Sequence, residues 1–356
     1  MKRWGESPIF AEMTDNMGRK EELISLVERY RELGIDRQID YDKFYLYSII
    51  THSTAIEGST ITEVENQLLF DQGITAAGKT LSEQMMNLDL KKAYEKCISL
   101  ASSHADITVD LLKDLSSIVM KNTGSEYKTA MGDFSSARGE LRLLNVTAGI
   151  GGRSYMSYTK VPEKFASFCT SLNDQRKTCN TEDIAALYDM SFDAHYNLVT
   201  IHPWADGNGR MARLLMNHLQ FEFGLIPTKV MKEAKEGYIK ALIDTRENED
   251  LVIFRDFMTD VMIANLKHDI DAFIRSTEER EGETSNKVGG KKIKSREKII
   301  AAIKENGHHT TNSLAEQVGV TPKAIEKHLA KLKAEGILVR VGPDKGGHWE
   351  IIDSGR

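Results

Sequence analysis

Apolar residues recur at three- and four-residue spacing through segments 18–33, 41–56, 84–102, 107–121, 162–173, 181–199, 209–223 and 250–275. That is the period at which side chains share one face of an α-helix, and little of the sequence between these segments alternates. The first three quarters of the chain are therefore predicted to be all-α. The stretch RLLNVTAGIGGRSYMSY at 142–158 departs from this pattern, with short β-favouring runs around Gly149, Gly151 and Gly152. It predicts a small β-hairpin with a glycine-rich tip. From Arg275 the sequence RSTEEREGETSNKVGGKK is polar and has no apolar stripe, which predicts a linker over 276–293.

Beyond 294 the apolar pattern resumes as helix, short helix, helix and two strands around a Gly/Pro-rich turn. Pro322 stands where the third of these helices opens, a position that tolerates the missing N–H. The order resembles a winged helix-turn-helix. Four segments follow: a helical region at 1–105, a core at 106–275, the linker at 276–293 and the winged module at 294–356.

With 356 residues and 40% hydrophobic content, the chain can bury at least one sizeable core. The net charge of −6 is unevenly spread: residues 291–356 hold 13 Lys/Arg against 8 Asp/Glu, a net +5, leaving −11 for residues 1–290. A basic appendage on an acidic body is the expectation. Cys97, Cys169 and Cys179 are too few and too irregularly spaced for a disulfide framework or a zinc site. The opening MKRWGESPIFAEM lacks a signal-peptide core, and no run of about 18 apolar residues would span a bilayer. A cytoplasmic protein without membrane contact is expected.

The chemistry concentrates in HPWADGNGRMAR, residues 202–213. An apolar helix ends near His202, because Pro203 disfavours the α conformation in the residue before it. A new helix begins just after Gly209, so Asp206-Gly207-Asn208-Gly209 is a turn feeding a helix N-terminus. Its backbone N–H groups lack intrahelical partners and the helix dipole adds positive charge there, which together suit a phosphate. Glycines let the backbone close around an anion, and Asn208 can add its amide. Arg210 and Arg213, three residues apart, extend the positive field. Asp206 would repel an anion unless a cation lay between, and Mg²⁺ resolves the conflict. His202 titrates in the range needed to take a proton from a hydroxyl. The set holds a phosphate cradle, a metal carboxylate and a base but no nucleophile, so it predicts transfer of a phosphorus-bearing group to an outside hydroxyl.

These residues match, at every fixed position, the His-Pro-aromatic-x-(Asp/Glu)-Gly-Asn-Gly-Arg-x-x-Arg signature of the Fic family, which the chain resembles over roughly residues 40–270. The resemblance implies a Fic-type helical bundle and AMP transfer from ATP to a Tyr, Thr or Ser hydroxyl of a target protein, the enzyme itself included. It implies that His202 is the base and Asp206 the Mg²⁺ ligand. Gly207, Asn208 and Gly209 would form the anion hole, and Arg210 and Arg213 would hold the outer phosphates. Trp204 would be a wedge in the core. The hairpin would be the flap that aligns a target segment by strand pairing, with Ile150, Gly151, Gly152 and Arg153 at its edge. Ser154-Tyr155 stands there in place of the family's usual proline pair. Tyr238 resembles the adenine-pocket tyrosine, and Ile239 takes the place of the second tyrosine often beside it.

Upstream, HSTAIEGS at 52–59 ends an amphipathic helix, with Ser53 and Glu57 one turn apart and Gly58 closing it. It resembles the (Ser/Thr)-x-x-x-Glu-(Gly/Asn) inhibitory motif of the family's second class. By that resemblance Glu57 pairs with Arg213 and puts negative charge where a γ-phosphate must sit, so the enzyme is self-inhibited, and the same glutamate can support removal of AMP. In the C-terminal module, Lys323, Lys327, Lys331 and Lys333 predict phosphate contacts to DNA. Interleaved with Glu326 and Glu335, the same lysines also fit a solvated face of an interaction module. The alternative to an enzyme is a DNA-binding transcriptional regulator whose Fic body serves as a sensing scaffold.

Overall fold

The computed structural model describes residues 8–148, 152–288, 295–318, 320–334, 337–341 and 348–351. The chain divides into two units, residues 1–273 and 274–356.

The first unit is helical, as the periodicity predicts. Its helices are α1 (Pro8–Glu32), α2 (Tyr41–Ile56), α3 (Glu63–Gln72), α4 (Leu81–Ser102), α5 (Val109–Val119), α6 (Val161–Thr178), α7 (Ile184–Ile201), α8 (Asn208–Glu222), α9 (Lys235–Asn248) and α10 (Leu251–Val288), the last running on past the unit's end. α8 is the central element, packed on both α7 and α4. Every residue from Arg210 to Gln220 is buried, so this helix has no solvent face and its polar side chains must find internal partners. They do: Tyr94 donates to Asn217 Oδ1 at 2.7 Å, and Gln220 bonds Ser191, Thr228 and the Thr228 backbone.

Two helices lie outside the segments predicted. α3 and α9 carry weak apolar stripes, so periodicity does not mark them. α3 and α4 are nevertheless signalled by capping boxes, in which Thr62 with Glu65, and Thr80 with Glu83, satisfy the first free N–H groups of each helix. Glu83 also reaches back to the Thr60 N–H and Oγ1 at 2.7 and 2.8 Å. The end of α2 therefore rests on a fixed elbow. Beneath it lies a buried polar network: Asn87 accepts from Thr54 and Asn66 and donates to Ser59.

The β-structure of this unit differs in position from the expectation. The regular hairpin is β1 (Glu126–Thr129) with β2 (Gly132–Ser135), paired antiparallel from Glu126↔Ser135 to Thr129↔Gly132. At 142–158 the chain does double back, with Ala148 N–H to Arg153 O at 3.1 Å and Tyr155 N–H to Val146 O at 3.0 Å. Among the described residues it forms one isolated bridge, Thr147↔Ser154, and no regular strand pair. Gly149, Ile150 and Gly151 lie outside the described residues.

In the second unit, α11 (Ser295–Glu305), α12 (Thr311–Val318) and α13 (Pro322–Ala334) are followed by the antiparallel pair β3 (Leu338–Val341) and β4 (His348–Ile351). Ile299, Ile303, Leu314, Ile325, Leu329 and Leu332 form its separate core. Pro322 opens α13, as expected. Of the segment expected to be a linker, residues through Val288 are helical, and 289–294 lie outside the described residues. Among the described residues no helix is long and apolar enough to cross a membrane.

Candidate active site

α7 ends at Ile201, and His202 caps it with φ 51 and ψ 63. The residue before Pro203 is thus left-handed rather than extended, a conformation a non-glycine residue holds only under tertiary constraint. Arg142 supplies the constraint. Its side chain is buried, and it donates from Nε to the His202 carbonyl at 2.7 Å, from Nη1 to Leu144 O at 2.8 Å and from Nη2 to Met156 O at 2.5 Å. Its own N–H donates to Pro203 O at 3.0 Å. One guanidinium thereby joins the turn at His202 to both flanks of the 142–158 loop.

The His202 ring is fixed on two sides. Its Nδ1–H donates to Val199 O at 3.2 Å, which leaves the Nε2 lone pair free. Tyr155 stacks on its face, with centroids 3.8 Å apart and planes 17° from parallel. Burial, opposed by the Val199 bond, pushes its pKa down to about 4. At neutral pH the imidazole is uncharged and able to accept a proton.

Between His202 and α8 the chain is pinned by Trp204, which is fully buried, stands edge-on to Phe165 and donates from Nε1 to Gly139 O at 3.0 Å. Asn208 is spent on the same task. It accepts from Trp204 N–H at 3.1 Å and donates to Trp204 O at 2.9 Å. The expectation that its side-chain amide faces an anion is thus corrected: the amide holds the turn, and only backbone N–H groups of this turn are left to face a ligand. Gly207, not Gly209, caps α8, with φ 82, and a Cβ there would fall 2.6 Å from the Met120 sulfur. A Cβ on Gly209 would fall 2.7 Å from Glu57 Oε1 and 3.1 Å from Arg213 Nη1, so glycine is what leaves this surface open.

Arg210 and Arg213 are both buried but differently engaged. Arg210 Nη2 lies 3.6 Å from Asp206 Oδ1, while Nε and Nη1 are buried without a partner. A buried guanidinium with idle donors is a costly arrangement that an anion would satisfy. Asp206 is exposed, with Oδ1 accepting from Gly207 N–H at 2.6 Å. Among the described residues no cluster of three or more metal-ligating side chains forms, so a cation here would share Asp206 with oxygens of another molecule.

Arg213 is fully occupied. It donates from Nε to Ser53 Oγ at 2.8 Å, and from Nη2 to Ser53 O at 3.0 Å and Glu57 Oε1 at 2.5 Å. Burial alone would raise the Glu57 pKa, but the charge and hydrogen bond of Arg213 outweigh it and hold the carboxyl below its usual value. Glu57 is itself the cap of α2, and Gly58 follows with φ 105. The pairing expected from the sequence is present.

Tyr238 requires a correction. It is buried under the motif, with its hydroxyl 2.8 Å from His195 Nε2 and accepting from Arg213 Nη1 at 3.5 Å. The described groove beside it is lined without it. One residue on, a step of 100° around α9, Ile239 faces a groove beside His202 that Tyr155, Tyr196, Leu242 and Arg246 also line. Sequence reasoning missed Arg142 and Arg246 and gave Tyr155 no role, since nothing local distinguishes a buried arginine or a stacking tyrosine from a surface one. Of the expected flap residues, Gly152 and Arg153 are exposed, and Gly152 has no room for a Cβ, which would fall 1.8 Å from Ala148 O.

Comparison with known proteins agrees with this geometry. The Fic/DOC family model matches residues 106–220, and the winged helix-turn-helix DNA-binding model matches 294–339. The protein adenylyltransferase fic-1 of Caenorhabditis briggsae is 26% identical over 208 residues, 58% of this chain and 37% of that protein. The chain thus spans well under half the length of this relative. A Fic domain containing signaling protein from Bacteroides thetaiotaomicron VPI-5482 superposes with a TM-score of 0.59 at 22% identity, covering 71% of this chain and 97% of that one. A Fic family protein from Desulfovibrio desulfuricans G20 gives 0.56 at 18% identity, covering 100% and 99%. A glycine-lined helix start with two buried arginines and a left-handed histidine at its mouth thus lie within the segment 106–220 that matches the Fic/DOC family, with Glu57 reaching them from outside it, and a winged helix-turn-helix module follows at 294–339.

Proposed function

We propose that this chain is a protein nucleotidyltransferase that moves AMP from ATP to a hydroxyl side chain of a target protein, with itself as one acceptor, and that Glu57 restrains it. The observation that carries the reading is the pairing of a neutral His202, Nε2 free, with two buried idle donors on Arg210 at the start of α8. The AMP group is supported by the names of the relatives, which are protein adenylyltransferases.

The phosphates would lie across the N–H groups of Asn208 and Gly209, with Gly207 shaping the turn while its N–H serves Asp206, Arg210 and Arg213 taking the outer two and the innermost facing His202. Asp206 would hold a Mg²⁺, which would supply charge to neutralise the phosphates. His202 Nε2 takes the proton of the acceptor hydroxyl, the oxygen bonds to the α-phosphorus, and the bond to the β-phosphate oxygen breaks to release pyrophosphate. The edge at Gly152–Arg153, with Ile150 and Gly151, would align the target by strand pairing. Glu57 holds Arg213 away from the γ-phosphate and puts a carboxylate in its place, so nucleotide would bind askew. The same carboxylate would serve a water in the reverse removal of AMP. A cytoplasmic setting accords with three unpaired thiols.

Incubating Glu57→Gly protein with Mg²⁺ and α-labelled ATP tests this: label should enter protein, and intact mass should name the group added. Label incorporated equally by Glu57→Gly/His202→Ala protein would refute it.

A second reading rests on α13, where Lys323, Lys327 and Lys331 recur every four residues and are exposed, with Lys333 exposed beside them. The module would bind duplex DNA, with the Fic body as its sensor. A mobility shift weakening steeply with salt supports this; no shift at low salt refutes it.

A further inference from the structure

The groove beside His202 continues the site in one direction. Tyr155 belongs to both, stacking on the imidazole and lining the groove. With the outer phosphates at Arg210 and Arg213 and the inner one at His202, a nucleotide's sugar and base must extend away from the arginines. Of the described cavities, the groove lined by Tyr155 is the one next to His202 that could receive them. Tyr155, Tyr196, Ile239 and Leu242 offer flat and aliphatic walls suited to a base, and Ile239, Leu242 and Arg246 share one face of α9.

Arg246 is the only charged side chain in this lining. Its guanidinium lies 5.9 Å from the Tyr155 ring centre, and its Nε is buried with no acceptor. Among the described residues no carboxylate pairs with it. Arginine has five donors and no acceptor. Adenine sets a donor, N6, beside both N1 and N7, so a guanidinium fork meets one acceptor and one opposing donor. Guanine presents O6 and N7 as neighbouring acceptors, the pair that arginine bonds bidentately.

We propose that Arg246 reads the base and favours guanine over adenine, which makes GTP a nucleotide donor for this chain at least as good as ATP. The inference rests on the nucleotidyl-transfer step of the reading above, not on ATP as the donor, and adds GTP as a donor. Glutamine at this position has a donor and an acceptor that match adenine N6 and N7, so Arg246→Gln should invert the preference rather than abolish binding.

The test measures equilibrium binding of GTP and ATP, each with Mg²⁺, to the full chain carrying Glu57→Gly and His202→Ala, with and without Arg246→Gln. GTP should bind about tenfold more tightly than ATP, and Arg246→Gln should shift that ratio by about a hundredfold, so that ATP binds more tightly than GTP. Tighter binding of ATP with Arg246 present, or a ratio that Arg246→Gln leaves unmoved, would overturn the assignment while leaving nucleotidyl transfer standing. Binding of neither nucleotide would overturn both.

Discussion

Glu57 and Arg213, 156 positions apart in the chain, meet through a 2.5 Å hydrogen bond in which a half-exposed carboxylate closes over a buried guanidinium. Ser53 takes the remaining strong donors of the same arginine, so α2 and α8 are joined at one point. If the pair holds the enzyme in check, Glu57→Gly should raise nucleotidyl transfer by roughly ten- to a hundredfold, the worth of one charge-assisted bond restored to a phosphate. Initial rates of label incorporation read the effect, and an unchanged rate would sink the idea.

Acid should weaken the fold in a definable window. Burial pushes His195 down to about 3, His202 to about 4 and His218 to about 4, against 6.5 for the unfolded chain. Between these values the unfolded state binds protons that the folded state refuses, so stability is full above pH 6.5 and falls as pH drops toward 4. The lowered Glu57 pKa adds loss in the same direction below its usual value. Denaturant midpoints from pH 8 to pH 4 should fall monotonically; a midpoint flat across that range would contradict the burial of these rings. Over pH 5 to 8 the transfer rate should show no limb from His202, which stays neutral throughout.

Gly207→Ala should cost about 1–3 kcal/mol, because alanine is strained at φ 82 and its Cβ would press on the Met120 sulfur. Urea unfolding measures this directly, and a wild-type midpoint would show that the turn relaxes freely.

Arg142→Gln leaves the carbonyls of His202, Leu144 and Met156 short of donors. We expect kcat to fall at least tenfold with KM for nucleotide nearly unchanged, since the phosphate-holding groups proposed above do not include Arg142. Arg142→Lys should recover part of the loss. A rise in KM alone would place Arg142 in nucleotide binding instead.

The helices whose apolar faces are broad and the turn at 202–213 are legible because each depends on short-range spacing or on a dense local motif, whereas the Glu57–Arg213 partnership, 156 positions apart, is legible only through the resemblance to a known inhibitory motif. Tertiary packing decided the remainder. The Asn208 amide turns inward because Trp204 needs both its hydrogen bonds satisfied, and Tyr238 is buried because the face of α9 that meets α7 begins one residue before the face lining the groove. The hairpin at 126–135 is four residues per strand with polar sides, too short for alternation to register. Arg142 could not be foreseen, since its partners are three carbonyls that any residue would supply.

The elbow following Glu57 bears on how quickly the protein can respond to a signal. Glu83 fastens Thr60, and Asn87 fastens Ser59 and Thr54, so breaking the Glu57–Arg213 contact requires only a rotamer change at Glu57, with no melting of α2 and with the Ser53 bonds to the arginine kept. Such swings occur in picoseconds to nanoseconds, far faster than a turnover. A stimulus need only tilt the balance between two poses of a carboxylate, and activity would then scale smoothly with that stimulus instead of snapping between off and on.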